Sequence, residues 1–297
     1  MEKAERKRGR KRVGAVLRWV FISLLAVLAA LFILHNYLGV GFPWSPKREG
    51  FSVTFIDVEQ GDAALIMTET TAIAVDVGPA DQGETTADRI FALAGKLDCV
   101  VITHPHEDHM GALSEVLETV PTDRVVMNAD ASDVSYFTRA LDVIEKKDIP
   151  VTEAKAGDAL EIGDIKVEIF APIAYTDDKN SNSIVLRATA GGVSVLITGD
   201  ATNEEEDAIL KRYRDLKADI LKVGHHGSST STGERFLKAV SPSVAVISCG
   251  EGNAYGHPHY STLTRLSDAG AEIYRTDKNG TVTVYVEDGR LKVKTQD

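Results

Sequence analysis

The sequence is poor in the residues that mark disulfide-rich, fibrous or disordered proteins. Only two of its 297 residues are cysteines, Cys99 and Cys249, and no Cys-x-x-Cys pair occurs. A disulfide framework and a cysteine-based zinc knuckle are therefore excluded. Internal repeats and low-complexity tracts are also absent. Hydrophobic residues make up 43% and charged residues 26% of the chain, a balance typical of a globular protein with one large core or two small ones.

Positive charge is scarce outside the first fifty residues. Residues 1–50 carry ten Lys/Arg against three Asp/Glu, which leaves 23 basic and 41 acidic residues, a charge of −18, in residues 51–297. The negative charge of residues 51–297 argues against broad, charge-driven binding of nucleic acid. We therefore expect no stable nucleic-acid complex, and any contact with a polyanion has to be local and assisted by metal.

The first fifty residues contain a basic cluster followed by a long apolar run. The run at 19–34, extended by 13–17 and interrupted only by Arg18, reaches the roughly 20 residues that a membrane-spanning helix needs. The basic residues before this apolar run predict that the N-terminus lies in the cytoplasm and that the residues after the run lie outside the cell. We thus predict four parts: a basic cytoplasmic tail at 1–12, a single-pass transmembrane anchor at 13–38, a linker at 39–50 and one folded domain at 51–297.

A cleaved signal peptide is the alternative interpretation of this N-terminal segment. Against it, the charged region is long for a signal peptide, and no clean Ala-x-Ala site precedes a polar start. The sequence leaves open whether the segment is cleaved and whether the anchor oligomerises.

The remainder of the chain predicts a layered α/β fold. Short β-branched runs at 51–57, 62–68 and 71–77 are followed by alternating helical and strand-like segments, including a helix at 109–119. Further strands close the chain, with hairpin signals at Gly191-Gly192 and Asn279-Gly280. Strands at both ends with helices between them favour an α/β sandwich over a doubly wound sheet.

A dense group of metal-competent side chains follows the predicted strand at 99–103. His104 and His106 are two residues apart on extended backbone, so their rings project to the same side. Asp108 and His109 then begin a helix and can turn toward the same point. Imidazole suits zinc, iron and manganese, and carboxylate favours harder ions. A plain polar loop is a poor explanation for three histidines within six residues.

Two later segments repeat this layout of a strand followed by a ligand. Leu196–Asp200 ends in Gly-Asp, and Leu221–Ser228 carries Gly and then His225 and His226. A carboxylate between two metal ions can bridge them, and Asp200 is the natural candidate. The three segments together predict a metal centre at one edge of the sheets.

These motifs resemble the metallo-β-lactamase superfamily, and more closely the C-terminal hydrolase domain of ComEC-type competence (DNA-uptake) proteins. The motifs that carry the resemblance are FIDVEQGD, AVDVG, the HxHxDH run, NSIVL, LITGD, LKVGHHGSSTS and ISCGEGNAYGHP. The resemblance covers nearly all of residues 51–293. It implies a four-layer αββα sandwich with two divalent ions, zinc or manganese, that activate a bridging water.

Transferred position by position, the resemblance also implies ligand roles. His104 and His106 would hold the first ion. Asp108, His109 and His225 would hold the second.

The remaining predicted site residues fall into three groups. Asp200 would bridge the ions and, with Asp108, act in catalysis. Positions facing the substrate are His226 and His257, which are also predicted to be catalytic, and Asn182, Gly227 and Ser228. Positions that support the ligands from behind are Asp57, Gln60, Asp62 and Asp76.

The chain departs from the superfamily pattern in its ligand set. No histidine occurs between Met110 and Gly224, so the usual third imidazole of the first metal is missing. Asn182, Asp178 or water are the candidates for that position. The first site is then expected to bind weakly or to prefer a harder ion such as manganese. Glu59 also stands where close relatives have Gly.

Three functions remain open at the level of sequence. The first is a membrane-anchored phosphodiesterase or nuclease, with DNA as one substrate class. The second is hydrolysis of another ester, such as a lactone, a thioester or a phosphocholine-type ester of the cell envelope. The third is a non-catalytic binding protein that kept the fold. The competence proteins' multi-helix channel and nucleic-acid-binding module are absent from this sequence, which puts a DNA-uptake role in doubt.

Overall fold

The computed structural model describes residues 18–27 and 50–296. The chain divides into two compact units, Met1–Ser45 and Pro46–Asp297. In the first unit, residues 18–27 form helix α1, whose apolar side chains, including Trp19 and Phe21, are exposed. Among the described residues, no helix has the length and apolar character that crossing a membrane requires. The predicted tail at 1–12, most of the anchor at 13–38 and all but Gly50 of the linker lie outside the described residues.

The second unit is built on two β-sheets. The strands of the first sheet are β1 (Ser52–Phe55), β2 (Ala63–Met67), β3 (Ala72–Val77), β4 (Cys99–Ile102), β5 (Val125–Met127), β6 (Val151–Glu153), β14 (Val282–Glu287) and β15 (Arg290–Thr295). They lie in the order β15-β14-β1-β2-β3-β4-β5-β6. The strand pairs from β3 to β6 are parallel and the other pairs are antiparallel. Strand β14, from the last part of this unit, pairs with β1, the first strand of the unit.

The second sheet comes from the middle of the chain. Its strands are β7 (Ala159–Ile162), β8 (Ile165–Ala171), β9 (Val185–Ala190), β10 (Val193–Ile197), β11 (Ile220–Lys222), β12 (Val244–Ile247) and β13 (Glu272–Arg275). They lie in the order β13-β12-β11-β10-β9-β8-β7, parallel from β10 to β13 and antiparallel from β7 to β10.

Helices flank both sheets. They are α2 (Gly83–Ala94), α3 (Glu107–Met110), α4 (Leu113–Thr119), α5 (Ser135–Lys146), α6 (Asn203–Arg212), α7 (Glu234–Val240), α8 (Tyr260–Asp268) and α9 (Thr276–Asn279). Each of the longer helices buries one apolar stripe, as Phe137, Ala140 and Ile144 do in α5.

Three apolar clusters hold the layers together. One packs α2, α4 and α5 on the first sheet, one fills the space between the sheets, and one packs α6, α7 and α8 on the second sheet. Phe55, from the first sheet, and Leu186, from the second sheet, both belong to the middle cluster and are almost completely buried. Burial of such a side chain contributes about 1.5–3 kcal/mol. The helix–sheet–sheet–helix order confirms the predicted layered α/β architecture.

The structure differs from the sequence prediction at a few elements. The predicted helix at 109–119 is two helices, α3 and α4, because a turn at Gly111 and Ala112 separates them and Ala112 leaves helical geometry with a ψ of 4°. The short strand β6 was not predicted, since all three of its residues are exposed and give no alternation of apolar and polar positions. Strand β7 and helix α9 were also not predicted.

Candidate metal centre

The candidate centre lies where strands of both sheets end. Asp76 is in β3, and the residues after β4 carry the first two histidines. Asp200 follows β10, and the Gly224–Gly227 turn follows β11. Because β3 and β4 run parallel, as do β10 and β11, their carboxyl ends deliver these side chains to one edge of the sandwich.

Asp76 organises the first group of ligands through hydrogen bonds. Its Oδ1 accepts from the backbone N–H of Thr103 at 2.8 Å, and its Oδ2 accepts from the Thr103 hydroxyl at 2.7 Å and from His109 Nδ1 at 2.9 Å. Because His109 Nδ1 is engaged with Asp76, Nε2 is the ring nitrogen that faces the candidate centre. Asp76 has a φ of 55°, in the left-handed region that Asp and Asn tolerate.

The same network sets the orientation of His104. Its Nδ1 lies 3.1 Å from the Thr103 hydroxyl, which already donates to Asp76 and therefore accepts from the ring. The Nε2 of His104 then directs its lone pair at His106 Nδ1, 3.0 Å away. His104 is fully buried, whereas His106 is half-buried and faces the cavity described below.

Asp108, His109 and His226 form the second group. His226 Nε2 lies 3.1 Å from Asp108 Oδ2, and His109 Nε2 lies 3.9 Å from the same oxygen. The His226 Nδ1 faces the backbone oxygen of Ser248 at 3.0 Å, which leaves Nε2 free to act as a ligand. One donor atom from each of the three residues lies within 4.8 Å of the others.

Asp200 lies between the two groups. Its Oδ1 is 3.3 Å from His109 Nε2, and its Oδ2 is 3.7 Å from His226 Nε2 and 3.5 Å from His225 Nε2. Donor atoms of Asp200, His104 and His109 also lie within 4.8 Å of one another. This position suits the bridging role that the resemblance implies.

A buried lysine compensates part of the negative charge. Lys222 is 2% exposed, and its Nζ lies 2.7 Å from Asp62 Oδ2 and donates to the backbone oxygen of Val223. Asp62 Oδ1 in turn lies 3.2 Å from His226 Nδ1. Lys222 thus neutralises the carboxylate that orients His226. Sequence reasoning named Asp62 but missed Lys222, whose only signal is a lysine inside an apolar strand.

The pKa values report a strong negative field. Burial opposes ionisation of Asp62, but the Lys222 ammonium and His226 outweigh it and lower the pKa of Asp62 to about 2. Burial disfavours the charged form of His226, yet Asp200 and Asp62 raise its pKa to about 10. Asp200 and Asp108 likewise raise the pKa of His109 well above its ordinary value, against its burial. A site that holds protons so firmly also attracts cations.

The donor set fits divalent cations. His109 Nε2 and Asp200 Oδ1 are buried, lie 3.3 Å apart and have no hydrogen-bond partner among the described residues. Two such facing donor atoms are stabilised by a cation between them. Imidazole nitrogens with carboxylate oxygens suit zinc, iron or manganese, and the chemistry alone does not choose among them.

A cavity of about 200 Å³ opens onto these side chains. Its lining residues include the predicted His106, Asp108, Asp200, His225, His226, His257 and Gln60, together with Asn180 and Tyr255. Sequence reasoning missed the last two. Burial and the neighbouring His226 lower the pKa of His257 to about 4, so its ring is neutral at pH 7. Its Nδ1 is buried and has no hydrogen-bond partner in the described part of the chain.

The structure brings both neighbouring histidines to Asp200 and the cavity, and it buries His226 more deeply than the predicted ligand His225. His226, predicted to face the substrate, is buried within the second group, whereas the predicted ligand His225 is one-quarter exposed at the cavity. Both residues have left-handed φ angles in the turn after β11, so their rings leave the backbone in different directions. Sequence spacing alone cannot distinguish adjacent residues in such a turn.

Three residues predicted to face the substrate do not line the cavity. Asn182 is fully buried, and its amide donates to Asp130 and accepts from the Thr176 backbone N–H, so it stabilises its own loop. The hydroxyl of Ser228 is engaged within the following turn. Gly227 allows a close approach to Pro258, where a Cβ would lie 2.5 Å from the proline Cβ.

The predicted supporting residues divide between two places. Asp62 and Asp76 lie behind the ligands, as described above. Asp57 accepts from the backbone N–H of Glu59 and, with Gln60, lines a neighbouring cavity of about 600 Å³. Gln60 belongs to both cavities and so connects them.

Comparison with known proteins agrees with this geometry. The metallo-beta-lactamase superfamily model matches residues 56–251. The ComE operon protein 3 of Bacillus subtilis is 32% identical over 250 residues, covering 77% of this chain and 32% of that protein. The competence protein ComA of Neisseria gonorrhoeae is 30% identical over 295 residues, covering 93% of this chain and 40% of that protein. The chain thus spans well under half the length of these curated relatives.

A solved structure shows the same fold. The metallo-beta-lactamase fold protein YhfI from Bacillus subtilis superimposes with a TM-score of 0.54 at 16% identity, covering 76% of this chain and 95% of that one. The sequence match, the two-sheet fold and the His/Asp clusters lead to one conclusion. The chain belongs to the metallo-beta-lactamase superfamily of metal-dependent hydrolases and is similar to competence proteins.

Proposed function

We propose that the chain is a membrane-anchored phosphodiesterase with a centre for two divalent cations, zinc or manganese. The observation that carries the proposal is the convergence of three buried histidines, His104, His109 and His226, and the partly exposed Asp108 on Asp200, at a cavity that reaches solvent. His104, with His106 and Asp200, would hold the first ion. Asp108, His109, His226 and Asp200 would hold the second.

Two divalent ions, when bound, lower the pKa of a water molecule toward neutrality and neutralise charge on a phosphoryl oxygen. Residues of the chain would orient the water and the substrate. Asp200, which lines the cavity, would orient the attacking water. His257, neutral at pH 7 and without a partner for Nδ1, hydrogen-bonds the substrate or its leaving group. Asp76 and Asp62 keep the imidazole nitrogens correctly oriented.

The similarity to competence proteins supports a phosphodiester substrate, and DNA is the first one to test. ComE operon protein 3 and Competence protein ComA are 32% and 30% identical to this chain over the aligned residues, but most of their length has no counterpart in it. A local, metal-assisted contact with a single strand is compatible with the acidic surface, whereas a stable complex is not.

The test uses the full-length chain, freed of metal and reloaded with Mn²⁺ or Zn²⁺. We expect cleavage of bis-p-nitrophenyl phosphate and of single-stranded DNA, abolished by a chelator and by Asp200→Asn. Asp164→Asn, on the surface away from the cavity, is the matched control and should retain activity. Turnover that persists in the chelator or in Asp200→Asn contradicts the proposal.

The cavity next to the site favours a second candidate, a hydrolase of a neutral or cationic ester. Its lining includes the carboxylates of Asp57, Glu59, Glu251 and Asp277 against the single ammonium of Lys278. This charge repels a polyanion and suits a phosphocholine-type or uncharged ester. Turnover of p-nitrophenylphosphorylcholine or an ester panel, without cleavage of DNA, would establish this candidate over the first.

Anchoring rests on the sequence of residues 1–38. A basic cluster before a long apolar run favours a single-pass helix with the catalytic unit outside the cell. We expect the full-length chain to sediment with membranes until detergent is added, and its catalytic unit to be accessible to protease on intact cells. A chain that stays soluble after lysis without detergent contradicts the anchor.

A further inference from the structure

Among the described residues, Asn180 is placed to substitute for the missing third histidine. It lies in the loop between β8 and β9 and lines the cavity together with His106 and Asp200. Its side-chain Oδ1 is buried and has no hydrogen-bond partner among the described residues. A buried amide oxygen without a partner costs free energy, which a ligand in the cavity would recover.

The loop holds Asn180 on the side of the first group of ligands. Its backbone N–H donates to Asp178 Oδ1 at 3.1 Å, and its backbone oxygen accepts from the N–H of Ser183 at 3.0 Å. The hydroxyl of Ser183 lies 3.3 Å from His104 Nδ1 and accepts from the N–H of Asp200 at 3.1 Å. Asn180 is therefore joined through Ser183 to His104 and Asp200.

The other candidates for this position are engaged elsewhere. Asn182 uses its amide within the loop, to Asp130 and Thr176. Asp178 is exposed and accepts from Ser181 and from the backbone N–H of Asn180. Neither of them lines the cavity.

We propose that Asn180 Oδ1 is a ligand of the first cation, with His104, His106 and Asp200, in place of an imidazole. This inference rests on the proposed two-cation centre. An amide oxygen is a harder ligand than imidazole and suits Mn²⁺ better than it suits Zn²⁺. With an amide oxygen in place of a third imidazole, the first position favours Zn²⁺ over Mn²⁺ less than a site with three imidazoles would.

The test measures metal binding rather than activity. The full-length protein is stripped of metal and titrated with Mn²⁺ or Zn²⁺ by equilibrium dialysis with elemental analysis. We expect two Mn²⁺ per wild-type chain. Asn180→Ala should lose more than about 100-fold in affinity at one of the two sites, because changes behind the ligands alone cost about 10- to 100-fold. Asn180→Asp should retain both ions, and Asn180→His should shift the weaker site toward Zn²⁺.

Asn203→Ala is the matched control. Asn203 also has a buried Oδ1 with no hydrogen-bond partner in residues 18–27 and 50–296, but it lies at the start of α6 and does not line the cavity. Circular dichroism and thermal unfolding confirm that each variant is folded. Two Mn²⁺ bound to Asn180→Ala with wild-type affinity would overturn this inference and leave the two-cation centre intact. A wild-type chain that binds no metal would instead refute the proposed function.

Discussion

Asp76 provides the sharpest test of how the ligands are oriented. Asp76→Asn is the informative change, because Asn tolerates the left-handed backbone at this position, where φ is 55°, while its amide nitrogen cannot accept a hydrogen bond. The amide oxygen can keep the bond from the Thr103 backbone. The two bonds at Oδ2, from the Thr103 hydroxyl and from His109 Nδ1, are lost.

The size of the effect follows from these contacts. Burial raises the pKa of Asp76, so the neutral amide is relieved of part of the cost of burying a charge. Leaving buried donors without acceptors costs about 1–3 kcal/mol, and we expect a loss of unfolding free energy in that range. With its Nδ1 proton unsupported, His109 no longer holds Nε2 toward the cavity, and we expect metal affinity to fall about 10- to 100-fold.

Isothermal titration with Mn²⁺ and urea unfolding measure the two quantities separately. Asp164→Asn is the control, because Asp164 also accepts hydrogen bonds from threonine hydroxyls, those of Thr68, Thr70 and Thr71, but does not line the site. We expect the control to lose stability without losing metal affinity. If Asp76→Asn also keeps wild-type metal affinity, Asp76 only supports the fold and the account of ligand orientation is wrong.

Three further predictions concern buried ionisable groups. Lys222→Met should lower the unfolding free energy by about 3–5 kcal/mol, because it leaves Asp62 as a buried carboxylate without its ammonium partner. If urea unfolding shows a loss below about 1 kcal/mol, Asp62 has found another partner. Burial raises the pKa of Glu206 from 4.5 to about 7, so its contribution to stability is fully present below pH 4.5 and is lost as the pH rises through about 7. Glu206→Gln should reduce this loss of unfolding free energy with rising pH. An unchanged pH profile of the unfolding free energy in the variant would show that Glu206 is not the group responsible. Burial raises the thiol pKa of Cys99 and Cys249 to about 12, so a maleimide should label neither in the native protein and both in urea; rapid native labelling would show that one of them is accessible.

The sequence predicted the fold, and it pointed to most of the side chains that converge at the candidate centre, because the relevant signals are local. Strand β4 ends in a run of histidines and Asp108, and Asp200 follows an apolar strand, so each segment shows both its backbone and its chemistry in a few residues. The predicted strand at 99–103 matches β4 to within one residue.

The features that the sequence did not predict depend on contacts between distant segments. Which of His225 and His226 enters the second group is set by a left-handed turn, and neither spacing nor residue type reveals that turn. Asn180 and Asn182 are two residues apart in one loop, yet one faces the cavity and the other holds the loop. The role of Lys222, in the second sheet, becomes clear only when Asp62, which precedes β2 of the first sheet, is seen beside it.

Diffraction from the metal-loaded protein at the manganese absorption edge tests the central claim most directly. The account predicts two anomalous peaks in the cavity, one beside His104, His106 and Asn180 and the other beside Asp108, His109 and His226, with Asp200 next to both. An absence of anomalous signal among these side chains at saturating metal, or peaks only elsewhere in the protein, would contradict it.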